Sequence, residues 1–154
     1  MASPAECSFC AIAAGGDGLG ARGTTRADVV WRDGRTTAFV ASKCWAGNEG
    51  HALVIPNRHA RDVYEIADEE LAAVYATAKR VAAAIRASHG CEGTSMRQHN
   101  EAGGGQDVFH VHVHVFPRWA GDRLYERNAE CRWTEPAERE PYASRLRDAL
   151  GTFA

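Results

Sequence analysis

The chain has 154 residues, with 18 lysines and arginines against 20 acidic residues and a formal charge of -2. That length fits one domain with one hydrophobic core, and the charge gives no global basic field for bulk nucleic acid. The longest unbroken aliphatic runs, such as Val81 to Ile85, fall far short of the roughly 20 residues that span a bilayer, so no membrane partner is expected.

An early Glu6 and the lack of a sustained apolar run at the N-terminus do not read as a secretory signal. The five cysteines are odd in number, and Cys7-Ser8-Phe9-Cys10 pairs two of them at a spacing suited to metal or redox chemistry in a reducing, cytoplasmic setting. After that pair, residues 1–28 are small and glycine-rich, with Gly15, Gly16, Gly18 and Gly20 close together, and read as a connector. Val29-Val30-Trp31 makes a short strand, Asp33-Gly34 a hairpin turn, and Thr36 to Val40 a second strand. The run from Gly50 to Pro56, apolar and bounded by glycine and proline, is a central strand.

Asp68 caps a helix with Glu69 and Glu70 in its first turn. Leu71, Val74, Tyr75, Ala78, Val81, Ala82 and Ile85 follow at helical spacing until Gly90, and this stripe packs on the sheet. His89 at the helix end is a dipole-complementing cation. Thr94 to Gln98 reads as a strand, Gly103-Gly104-Gly105 as a turn and Val108 to Phe116 as the next strand. Beyond Arg118 the chain is polar and arginine-rich to Glu140, and Pro141 opens a C-terminal helix with Tyr142, Leu146, Ala149 and Leu150 inward and Gly151 as its stop. The expected architecture is a single α+β domain over 1–154: an antiparallel sheet packed by one main helix and a C-terminal helix, with a core over about 7–118 and an extension over about 119–154.

The most specific stretch is His110-Val111-His112-Val113-His114-Val115. Its alternation predicts a half-buried strand with valines toward the core and imidazoles on the other face, closed by Pro117. Alternate side chains on a strand stand roughly 6.6 to 6.8 Å apart. Two neighbouring imidazoles can therefore share one metal ion, but three cannot without distortion. Near neutral pH, such a ring serves as a nucleophile when neutral or as a proton donor when charged.

These residues resemble the histidine triad superfamily. The likeness covers roughly residues 7 to 118 and includes Cys7-x-x-Cys10, Gly50-His51-x-Leu53-Val54-Ile55-Pro56-x-x-His59, Asn100-Glu101-Ala102 and Gly105-Gln106-x-Val108-x-His110 besides the triad. It implies a nucleotide hydrolase or transferase, commonly a homodimer, acting on a purine nucleotide or dinucleotide and using no organic cofactor. His112 matches the nucleophile that attacks the α-phosphate, and His114 matches the contact to the phosphate near the leaving group. Gly105 and Gln106 match the phosphate-facing loop. Cys7, Cys10, His51 and His110 match a structural zinc site, while His59 either lines the site or is a solvated loop residue. Cys44, Cys91 and Cys131 lack such spacing.

Two departures stand out. Phe39-Val40-Ala41-Ser42 lacks the aspartate that many members use for the ribose, leaving Asn100 or the rival His99 to compensate. Asp107 stands where a serine or threonine hydroxyl often meets the phosphate, so backbone amides of that loop are the expected anion donors. Arg118, Arg123 and Arg127 either reach substrate phosphates or form a solvated face. These departures keep open a second class of function, a nucleotide-binding or zinc-stabilised interaction protein with vestigial catalysis.

Overall fold

In the computed structural model, residues 6–18 and 23–152 are described; Gly20 and the first five residues of the N-terminal stretch lie outside them. The elements run α1 (Ser8–Ala13), β1 (Val29–Arg32), β2 (Thr36–Val40), β3 (Lys43–Cys44), β4 (Ala52–Pro56), α2 (Asp68–Ser88), β5 (Gly93–Gln98), β6 (Val113–Arg118), β7 (Arg132–Trp133) and α3 (Pro136–Gly151). β1, β2, β4, β6 and β5 form, in that order, a five-stranded antiparallel sheet, and β3 pairs with β7 in a separate two-stranded ribbon. This is the expected α+β arrangement.

Every residue of β2 and β4 is buried, because both faces of the sheet centre are covered; an alternating pattern would leave half of each strand polar. On one face Val40, Ala52, Val54, Val113 and Val115 meet Val74, Val81 and Ile85 of α2 and Leu146 of α3 in the main core. On the other face Phe39, Leu53 and Ile55 lie under Phe9 and Ile12 of α1. The stretch read as a connector therefore contains a helix whose apolar side chains cover the sheet.

The starts of both long helices differ from the sequence expectations. Ala67, with no side-chain cap, precedes α2, and Asp68 is its first helical residue. There it still complements the helix dipole. At the other end Gly90 takes φ 63°, the left-handed conformation that glycine supplies at a helix stop. α3 begins at Pro136, five residues before Pro141, with a capping box between Glu135 and Glu138. Pro141 lies inside it at the sixth position, beyond the free amides of the first turn, so the ladder lacks the one bond that an N–H there would give to the Ala137 carbonyl.

Pro117 does not close the histidine strand but lies within β6, opposite Thr94. Its carbonyl accepts from Asn48 Nδ2 at 2.8 Å, on the side where β4 has already ended, so its missing N–H is not needed in the ladder. The extension after Arg118 also folds back on the domain. Leu124 is buried against Trp45 and Phe116, and the guanidinium of Arg139 is enclosed with Asp28, at 2.8 Å.

Candidate functional site

Only the last histidine of the row lies in the β6 ladder; the chain before it bends over residues 108–110, with His110 N–H donating to the Val108 carbonyl at 2.9 Å, and is held by Val111 N–H donating to the Ala60 carbonyl at 2.7 Å. The alternation persists through both parts. Val111, Val113 and Val115 are all fully buried in the helix-side core, and the imidazoles share the opposite face, with His112 and His114 ring centres 5.0 Å apart.

The three rings have different surroundings. His112 Nδ1 donates to the His110 carbonyl at 2.7 Å, which leaves the lone pair on Nε2. Burial lowers the pKa of His112, with the neighbouring His99 also unfavourable to the cation, so the ring is neutral near pH 7. His114 lies well below the ordinary range, chiefly through burial and then through His51. Its Nδ1 is 3.4 Å from His51 Nε2. His51 is stacked on Phe116 at 4.3 Å, burial lowers its pKa to about 3, and its Nδ1 has no hydrogen-bond partner among the described residues. An orphaned buried N–H is rarer than an orphaned acceptor. The favoured tautomer of His51 therefore carries hydrogen on Nε2 and donates to His114 Nδ1, which leaves His114 with an Nε2–H donor.

His110 belongs to a second cluster. Its Nδ1 lies 3.5 Å from both Cys7 Sγ and Cys10 Sγ, and Cys10 Sγ lies 3.3 Å from His59 Nδ1. The four ligand atoms all fall within 4.8 Å of one another. Zinc radii of about 2.3 Å to sulfur and 2.0 Å to nitrogen give a tetrahedral S···N edge of about 3.6 Å, so this donor set fits such an ion. His110 Nε2 donates to the Pro56 carbonyl at 2.9 Å, presenting Nδ1 to the cluster in the manner of a metal-ligand histidine. Burial lowers the His110 pKa to about 4 and, together with Cys7, raises the Cys10 thiol to about 12.

The fourth member of that cluster is His59, not His51. β4 runs antiparallel to β6, with Leu53 opposite His114. The start of the histidine row therefore meets the exit of β4, where His59 follows Pro56, whereas His51 precedes the other end of a strand rising about 3.3 Å per residue. The antiparallel pairing of the two stretches was the available signal for His59.

The loop residues divide likewise. Gln106 does not face the cavity: its side chain accepts from Glu101 N–H at 2.8 Å and donates to the carbonyls of Arg61 and Val108 at 2.6 and 3.1 Å. Asn100 is also turned away, accepting from Val63 N–H at 2.9 Å and pairing with Gln98. Both hold the loop together. The amides of Gly104, Gly105 and Gln106, expected anion donors, are spent on Glu101 and Ala102 carbonyls within the loop. Gly105, at φ 83°, lets the loop turn beside His99, whose Nδ1 donates to the Gly104 carbonyl at 2.6 Å. His99, Gly105 and Asp107 do line the cavity, and Asp107 Oδ1 is 4.0 Å from His112 Nε2.

That cavity has a volume of about 1000 Å³ and takes in His112, His114 and His51. Phe9, Leu53 and Val108 make one apolar wall, while Lys43, Trp45 and Arg97 lie along the other side. Sequence reading missed Lys43, Trp45 and Arg97, which no motif marks; Arg97 is placed by its register opposite His114. The arginines after the triad are instead ion-paired: Arg118 with Asp122, Arg123 with Glu126 and Arg127 with Glu130. His89 is not a cation, since burial lowers its pKa.

A family model described as the HIT domain matches residues 22–121. An uncharacterised HIT-like protein of Mycobacterium tuberculosis is 33% identical over 144 residues, covering 94% of this chain and 92% of its own length. The adenosine 5'-monophosphoramidase hnt1 of Schizosaccharomyces pombe is 39% identical over 71 residues, 46% of this chain and 50% of that protein. Among solved structures, a zinc-bound histidine triad family protein from Mycobacterium smegmatis superposes with a TM-score of 0.78 at 29% identity, covering 98% of this chain and 97% of that one.

Proposed function

From the premise that this chain belongs to the histidine triad (HIT) family, we propose that it is a nucleotide hydrolase that works through a nucleotidyl-histidine intermediate on His112. The observation that carries this is the orientation of that ring: Nδ1–H is held by the His110 carbonyl at 2.7 Å, and the ring lines the cavity. A neutral, oriented and buried imidazole is an activated nucleophile.

The Nε2 lone pair attacks the α-phosphorus, the bond from phosphorus to the leaving oxygen or nitrogen breaks, and the leaving group takes a proton from solvent, which is returned when the attacking water of the second step loses its own. Water then attacks the same phosphorus, the phosphorus–nitrogen bond breaks, and a nucleoside monophosphate departs as His112 regains its lone pair. His114 Nε2–H donates to a phosphate oxygen or the leaving atom as negative charge grows there. The wall of Phe9, Leu53 and Val108 suits the flat, apolar faces of a purine. The S. pombe relative, a phosphoramidase, supports a phosphoramidate at the α-phosphate; a phosphoanhydride, broken by the same displacement, is the other bond class.

We further assign zinc to Cys7, Cys10, His59 and His110, as the zinc-bound mycobacterial structure supports. Bound there it would serve as a structural cross-link, tying α1 to the sheet. These ligands also fix His110, whose carbonyl orients His112. A homodimer is in keeping with the outer edge of β5 and the exposed Tyr75 and Met96, and a cytoplasmic home with five free cysteines.

One feature favours binding without turnover. Asp107, 4.0 Å from His112 Nε2, would repel an incoming phosphate unless it turns toward solvent, as its two-thirds exposure allows. A substrate panel with product identification decides between the two. Release of nucleoside monophosphate by the wild type and its loss in His112→Ala support hydrolysis; micromolar nucleotide binding with no turnover on any substrate supports the alternative.

A further inference from the structure

We propose that Arg97 forms a second anion subsite beyond His114 and selects nucleotides with an anionic leaving group, a phosphate or phosphate ester, over those that release a neutral amine. This rests on the hydrolase assignment above and adds the substrate class to it.

Arg97 lies on β5 opposite His114. Its guanidinium sits 4.7 Å over the Phe116 ring and 5.2 Å over Trp45. Phe116 is itself stacked with His114 at 5.6 Å, so the guanidinium stands next in line after the two catalytic imidazoles along one face. It lines the same cavity.

What sets this arginine apart is the absence of a partner. The other arginines around the site, Arg118 and Arg127, are in ion pairs with Asp122 and Glu130. Among the described residues the Arg97 side chain makes no hydrogen bond or ion pair, and its Nε is buried without an acceptor. Burial lowers its pKa from the ordinary arginine range, and the only nearby acidic groups opposing this are Tyr125 and Asp107. Stacking on two aromatic rings fixes the plane of the fork and lets it stay partly desolvated, but leaves the N–H donors unused. A positioned, unpaired guanidinium of this kind is suited to bidentate contact with phosphate oxygens.

The charge of the cavity agrees. The chain carries a formal charge of -2, yet among the described residues the fully charged side chains lining the cavity are Lys43, Arg97 and Asp107, two cations to one anion. Lys43 lies over the Trp133 ring at 5.9 Å and among the described residues has no carboxylate partner either. A local excess of cationic charge in a cavity of an acidic protein concentrates anions there. A leaving amine gains nothing from it, whereas the phosphates that follow the α-phosphate do.

The test compares two substrates with the same adenylyl group: diadenosine triphosphate, whose leaving group is anionic, and adenosine 5'-phosphoramidate, whose leaving group is ammonia. The quantity read is the ratio of their kcat/KM values in wild type and in Arg97→Met, which keeps an apolar stem over the rings. The ratio is expected to fall about 10- to 100-fold, the worth of a charge-assisted hydrogen bond or two. A merely structural role would lower both values together, and an unchanged ratio overturns the proposal. Should Arg97→Met not fold, Arg97→Lys, which keeps charge but not the fork, is read by the same ratio; a fall of about threefold or more supports the subsite, and no fall overturns it. If the wild type turns over neither substrate, the hydrolase assignment itself fails; turnover with an unchanged ratio sinks only the subsite.

Discussion

His51 Nε2 lies 3.4 Å from His114 Nδ1, with the two rings nearly parallel at a centroid separation of 5.6 Å. Because His51 Nδ1 is buried without a partner, the shared hydrogen sits on His51 Nε2, and His51 sets the tautomer of His114 without being a metal ligand. His51→Phe keeps the ring stack on Phe116 and removes the donor. We expect kcat to fall about 10-fold, the usual worth of one hydrogen bond, measured by steady-state turnover with thermal unfolding to confirm the fold.

Both rings also make stability pH-dependent. Burial depresses the folded pKa of His51 to about 3 and that of His114 well below the usual value, while the unfolded chain titrates near 6.5. The unfolded state thus binds more protons between these limits. Stability is fully present above about pH 6.5 and is lost as pH falls toward 3, by up to about 1.4 kcal/mol per pH unit per group. Urea unfolding midpoints at pH 7, 6, 5 and 4 should decline, and the slope should be shallower in His51→Phe; equal slopes would show that this ring is not a source of the loss.

The metal cluster separates His59 from His51. Elemental analysis should give about one zinc per chain in wild type and in His51→Ala, and little in His59→Ala or Cys10→Ser. Retention of zinc in His59→Ala with loss in His51→Ala would reverse the ligand assignment. Chelation should lower the unfolding temperature, since a structural metal adds its binding free energy to folding.

Arg139 and Asp28 pair at 2.8 Å with side chains only 3% and 2% exposed, joining α3 to the start of β1. Arg139→Met strands a buried carboxylate. The expected loss is about 3 to 5 kcal/mol, read from urea denaturation, whereas Arg123→Met, at an exposed pair, should change stability by less than about 1 kcal/mol.

Periodicity made much of this molecule legible. Alternating valines and histidines placed the three imidazoles on one face even though the ladder reaches only His114, because burial of Val111, Val113 and Val115 in the core keeps the histidines opposite them. The stripe from Leu71 to Ile85 placed α2 on the valine side. What stayed hidden depended on contacts between distant segments. α1 was obscured by the glycines that follow it, and Pro141 suggested a helix start that Pro136 in fact supplies. Gln106 and Asn100 are polar residues on a loop near phosphate-binding elements, and nothing local distinguishes a side chain that faces a ligand from one that braces its own loop. Arg97 reads as one charge among 18 basic residues; only the loss of every partner on folding marks it out.

In the proposed mechanism His112 becomes covalently nucleotidylated. Intact-mass spectrometry of the wild-type protein, quenched within the first turnovers on adenosine 5'-phosphoramidate and followed by peptide mapping, reads this directly. An added adenylyl group is expected on the peptide containing His112, absent in His112→Ala and discharged as the monophosphate on standing. An unmodified peptide during ongoing turnover, or an adduct that persists in His112→Ala, would contradict it.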